Sequence, residues 1–119
     1  MRKFLTSLII IVHLFMASIV RAAQEPIRGV ASYYSRAHQG KRMANGKPFD
    51  LKKMTAACLR FPLGTRLQVR SIATGRIVIV QVTDRGPFKT GRLIDLSEAA
   101  AVLLGIKQLG VSIVEVTPI

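Results

Sequence analysis

Six carboxylates supply all the acidic side chains of this 119-residue chain: Glu25, Asp50, Asp84, Asp95, Glu98 and Glu115. They stand against 18 Lys and Arg, two His and a single Cys. That scarcity narrows the chemistry. One cysteine, Cys58, excludes an internal disulfide and any Cys-cluster metal site, and it reads as a small buried hydrophobe. His13 lies in an apolar amino-terminal run, which leaves His38 alone in the remainder, so no multi-histidine zinc site can be assembled and no metal or cofactor is expected. None of Ser32, Ser35, Ser71, Ser97 or Ser112 sits in a nucleophile-elbow context that would pair it with that histidine. Acid and base work by a carboxyl group is what remains. Asp84 is the most suggestive position, because it follows the apolar run of residues 77–82 and opens Asp84-Arg85-Gly86-Pro87-Phe88. A carboxylate at a strand end can act in general acid and base catalysis, whereas an Asp starting a tight turn can equally bond its own backbone or pair with Arg85. Asp95, two residues before a helix cap, reads as structural, Glu98 as a helix-start residue and Glu25 as part of a tail, while Asp50 falls in a polar loop of residues 40–53.

These groups need a scaffold, and the chain offers material for one small domain. Arg2 and Lys3 precede an apolar run over residues 4–20, and Val20, Arg21 and Ala22 provide a small-residue cleavage site. This is the layout of a signal peptide spanning residues 1–22, with residues 23–119 as the mature domain. No Cys follows the run, so a lipid-modified cysteine is not expected, nor is stable membrane insertion after cleavage. Loss of Arg2, Lys3 and Arg21 leaves 97 residues carrying 15 basic and six acidic side chains, a net charge of +9 that favours anionic partners. With export expected, wall polymers and anionic lipid surfaces of the periplasm or cell envelope, rather than nucleic acid, are the expected partners for such charge. Residues 65–70 and 76–82 alternate or run β-branched and apolar around Ala73, Thr74 and Gly75, predicting a β-hairpin. Residues 27–34 and 111–117 predict two more strands. Ser97 can cap a helix that ends at Gly105. Short strands with a helix in so few residues suggest a closed β-barrel, since closure removes unprotected edges.

Six blocks then align with a known pattern: Gly29-Val30-Ala31-Ser32-Tyr33-Tyr34, Met43-Ala44-Asn45-Gly46-Lys47-Pro48-Phe49-Asp50, Met54-Thr55-Ala56-Ala57, Pro62-Leu63-Gly64-Thr65, Asp84-Arg85-Gly86-Pro87-Phe88 and Arg92-Leu93-Ile94-Asp95-Leu96-Ser97. In order and spacing they resemble the rare lipoprotein A family. The resemblance implies a mainly β fold, a six-stranded double-psi β-barrel with one or two short helices, shared with expansins. It implies a peptidoglycan lytic transglycosylase, with a non-catalytic, expansin-like peptidoglycan-binding barrel as the alternative; a monomer is expected in either case. Asp84 matches the family's catalytic Asp, and Asp50 matches a second acidic position in the glycan groove. Tyr33, Tyr34 and Phe88 would offer flat surfaces to sugar rings, with Arg42, Asn45 and Arg85 as polar contacts. Two positions depart from the pattern. Lys47 stands where active relatives commonly have Glu, and could bind an anionic peptide stem, while Cys58 stands where they commonly have His.

Overall fold

The computed structural model describes residues 9–12 and 25–119, so the expected leader, residues 1–22, lies outside the described residues apart from a helical stretch at 9–12. Among the described residues no helix is long and apolar enough to cross a membrane. Six strands follow: β1 (Ile27–Tyr33), β2 (Thr55–Ala57), β3 (Arg66–Ser71), β4 (Ile77–Asp84), β5 (Arg92–Leu96) and β6 (Ser112–Pro118). One helix, α1 (Glu98–Leu104), and two 3-10 turns, Arg36–His38 and Lys107–Leu109, complete the domain. The strands close into a barrel in the order β1-β5-β2-β4-β3-β6. Pairs β1·β5 and β2·β4 are parallel, and the other four are antiparallel.

Alternation in β3 and β4 builds the interior. Leu67 and Val69 on one strand and Val78, Val80 and Val82 on the other face inward, with the residues between them turned toward solvent or the flanks. Ile94, Leu96, Val114 and Val116 join them from β5 and β6, and Ala100, Ala101 and Leu104 from α1 pack on the same cluster. The β3–β4 hairpin forms as its turn residues dictate. Ser71 Oγ accepts from Thr74 N at 3.1 Å, and Gly75, at φ 73°, supplies the left-handed residue that any side chain would strain. Extra strands appear where patterning gave none, at β2 and β5. β4 also runs two residues further than its apolar run, so Asp84 ends a strand instead of opening a turn.

The helix follows its local signals. Ser97 Oγ accepts from Ala100 N at 3.2 Å, Glu98 occupies the first turn, and Gly105 closes the helix at φ 79°. Replacing Ser97 by Ala is expected to cost about 1 kcal/mol, read as a lowered thermal midpoint. Glu98 receives Lys107 at 2.6 Å and Arg36 at 3.0 Å, tying α1 to both 3-10 turns. On the other side Glu115 receives Arg28 at 2.7 Å and Arg70 at 2.9 Å, linking β6 to its two neighbours. Hydrogen bonds from these cations hold both carboxyls below the ordinary glutamate value of 4.5. A carboxyl lowered in the folded state stabilises that state above its unfolded value and loses the contribution as pH falls through the lowered one. The thermal midpoint should therefore fall as pH drops below 4.5, and a Glu98→Gln, Glu115→Gln double variant should show a shallower fall across that window.

Candidate active site

Strand register places two carboxylates on either side of a small residue. Ala57 of β2 pairs with Asp84 of β4 on one flank and with Asp95 of β5 on the other. Laterally paired residues point to the same side of a sheet, so both acids reach one cleft. A β-bulge makes this possible for Asp84. Ala56 pairs with Val82 but Ala57 with Asp84, so Thr83 is the extra residue, and its hydroxyl turns to Met43 Sδ at 3.3 Å. On β5, Ile94 and Leu96 fill the core and Asp95 alternates to the opposite side.

The cleft has a volume of about 450 Å³, and its lining includes Tyr33, Tyr34, His38, Phe88 and Lys89 besides the two acids. Three donors orient Asp84. Tyr34 Oη donates to Oδ2 at 2.6 Å, while the backbone N–H groups of Ala44 and Arg85 donate to Oδ1 at 2.8 and 2.9 Å. Tyr34 is itself fixed, stacked on Phe49 with ring centroids 4.4 Å apart and meeting the His38 ring edge-on at 5.2 Å. Burial, then the hydrogen bond to Asp84, then the charges of Asp84 and Asp95 push the Tyr34 phenol well above its ordinary range. It therefore stays a donor throughout any ordinary pH.

Other expected site residues are distributed unevenly. Arg85 lines the cleft, but its guanidinium turns from Asp84 to donate to the Phe61 carbonyl at 2.6 Å. Phe88 is 81% exposed, its ring open to a ligand. Tyr33 lines the cleft too, although its hydroxyl is engaged by the Lys107 carbonyl at 2.8 Å and its ring packs on the core. Asn45, Lys47 and Asp50 line a separate, smaller depression of about 120 Å³. There Asp50 Oδ1 accepts from Lys52 N at 3.0 Å. Asp50 and Asp84 thus line different depressions, with Thr83, next to Asp84, bordering that of Asp50. The loop between them contributes to both places, since Ala44 reaches Asp84 while the next side chain, Asn45, lines the second depression. Arg42, exposed and bridged to Pro48, lines neither. Cys58 is fully buried, its thiol donating to the Leu93 carbonyl at 3.5 Å and pushed up in pKa by that burial, as a small core residue should be.

Asp95, read from the sequence as structural, and His38, read there as without a catalytic or metal partner, both line the cleft. Asp95 is ion-paired with Arg92 yet lines the cleft, and the alternation of Ile94 and Leu96 around it was the available signal. His38 reaches the cleft through the 3-10 turn Arg36–His38, for which the sequence carries no periodic signature.

The family pattern described as lytic transglycolase matches residues 27–116, from the first residue of β1 to within two residues of the end of β6. The chain belongs to the lytic transglycolase family. Its relatives include the probable endolytic peptidoglycan transglycosylase RlpA of Synechocystis sp., 46% identical over 83 residues that cover 70% of this chain and 26% of the relative. The endolytic peptidoglycan transglycosylase RlpA of Pseudomonas aeruginosa is 46% identical over 88 residues, 74% of this chain and 26% of that protein. The chain thus spans about a quarter of the length of these curated relatives. The Streptomyces papain inhibitor shares the fold with a TM-score of 0.64 and 24% identity, over 80% of this chain and 94% of that one. An apo expansin from Clavibacter michiganensis superposes with a TM-score of 0.61 and 28% identity, covering 79% of this chain and 50% of the expansin. The closed six-stranded order is consistent with the double-psi β-barrel of this family.

Proposed function

We propose that this lytic transglycolase-family domain is an exported peptidoglycan lytic transglycosylase in which Asp84 is both acid and base. The observation that carries the reading is the carboxyl of Asp84, fixed by Tyr34 and two backbone donors at the edge of an open cleft. The reaction needs no water nucleophile. The protonated carboxyl gives its proton to the glycosidic oxygen as the bond to the muramyl anomeric carbon breaks. The resulting carboxylate then takes the proton of the muramyl 6-hydroxyl as that oxygen closes on the same carbon, leaving a 1,6-anhydro end and a regenerated acid. One group serves twice, so the paired-carboxylate separations of ordinary glycosidases do not apply. Phe88 offers a flat surface to a sugar ring, and Arg85 and Lys89 supply positive charge. Lys47, Asn45 and Asp50, on the same loop as Ala44 but lining the second depression, meet the flanks of a bound strand instead of its scissile bond.

The leader of residues 1–22 delivers the domain to the envelope in this reading, and the positive charge holds it, as a monomer, to anionic wall polymers. A non-catalytic, expansin-like binder is the second reading, favoured by one observation: Cys58, the position where active relatives commonly carry His, is shut inside the core. Digestion of purified sacculi, followed by mass spectrometry of the soluble products, separates the two. Anhydro-ended fragments support the enzyme, and co-sedimentation without release supports the binder.

Tyr34→Phe keeps the ring stack on Phe49 but removes the donor to Asp84 Oδ2. The phenol fixes the carboxyl that must reach the glycosidic oxygen, and misplacing a reacting group lowers the rate steeply, so fragment release should fall about tenfold or more. Retention on sacculi should be unchanged, since the phenol acts on the acid and not on bound sugar.

A further inference from the structure

The cleft continues past Asp84. Pro87 and Arg92 line it, and both also line a neighbouring depression of about 310 Å³ bordered by Leu59, Arg60 and Leu93. We infer that this depression extends the glycan groove as a subsite for a muramyl residue, whose carboxylate is taken by Arg60 while Leu59 and Leu93 take the apolar face of the ring. The inference rests on the proposed action on peptidoglycan and adds where, and by what chemistry, a sugar beyond the scissile bond is held.

Charge selects the cation. Three arginines line the depression besides the apolar residues. Arg28 is committed to Glu115 at 2.7 Å, and Arg92 to Asp95. Arg60 is exposed and has no ion-pair partner among the described residues, so an anion met here would find it free. Leu59 beside it is 47% exposed, an apolar surface at the mouth of a polar groove. Gly29 shapes the floor. A Cβ at that position would come within 2.6 Å of Leu93 Cβ, so only glycine lets Leu93 lie across β1 at this height. Sugar rings present carbon–hydrogen faces with polar edges, and a leucine pair flanked by a guanidinium matches both.

The carboxylate has two sources. In strands stripped of stem peptides it is the lactyl group of the muramyl residue itself; in intact strands that group is amidated, and the carboxylates are those of the stem. Binding of chitohexaose, stripped glycan strands and intact sacculi would be compared in an Asp84→Asn background, which prevents cleavage during the assay, with Arg60→Gln and Leu59→Ala added singly. Arg60→Gln should weaken stripped strands about fivefold to tenfold and leave chitohexaose, which carries no carboxylate, unchanged. Leu59→Ala should weaken all three. A loss on Arg60→Gln confined to intact sacculi overturns the muramyl carboxylate as the anion that Arg60 takes and assigns a stem carboxylate in its place. Equal binding of all three glycans by parent and variants, at unchanged thermal midpoints, overturns the subsite while leaving the proposed function intact. Failure of the parent to bind any glycan overturns that function, and the subsite with it.

Discussion

Asp84→Asn is expected to abolish release of anhydro-ended fragments from purified peptidoglycan, a loss of about 10²- to 10⁴-fold, the range general acid–base groups contribute. The amide oxygen can still accept the backbone N–H groups of Ala44 and Arg85 while its NH2 donates to Tyr34 Oη, so the cleft keeps its shape, but the amide can neither give the glycosidic oxygen a proton nor take one from the 6-hydroxyl. The partner measurement is retention on sacculi, which should match that of the parent. Loss of release with retained binding assigns Asp84 to chemistry. Undiminished release would remove it from the reaction and leave Asp95, the other carboxylate of the cleft, as the acid to test.

Leu67→Ala carries the largest expected effect on stability. Leu67 is fully buried, faces the barrel interior from β3, and pairs with Val80 on one side and Pro118 on the other. Truncating a buried leucine costs about 2–5 kcal/mol, because the lost transfer energy is joined by a cavity that close packing cannot refill. At roughly 4–8 °C per kcal/mol for a domain of this size, a 3 kcal/mol loss lowers the midpoint by about 12–24 °C. Circular dichroism melts of this variant beside Arg66→Ala, whose side chain is exposed one position earlier, would check the claim. Comparable midpoints for the two would contradict the inward assignment of Leu67.

Local signals account for what could be read from the sequence. Ser97, Glu98 and Gly105 mark α1 because capping acts within one turn, and the β3–β4 hairpin is marked by strands that alternate around a short glycine-bearing turn. β2 has three residues, too few for any period to show. β5 opens on Arg92 and contains Asp95, a composition that reads as polar until its neighbours in the sheet are known. The resemblance to relatives, not periodicity, carried the expectation of six strands. The site was legible in part. Asp84 was singled out by type and position, but the groups that orient it come from Tyr34 and Ala44, 50 and 40 residues away in sequence. Nor could a loop sequence reveal that Asp50 lies in a different depression from Asp84, because that depends on how residues 40–53 fold back over the bulge at Thr83.

Closure by β6 bears on when the chain can fold. Ser112–Pro118 pair with β1 on one side and with β3 on the other, and Ile27 meets Val116 across nearly the whole domain. A nascent chain that has not yet released those residues leaves two bare edges and no shorter barrel to settle into. Contacts of such long range also make closure slow relative to local structure. Until residues 112–118 are free to pair, the barrel stays open, so completion of the fold waits on them wherever the chain folds.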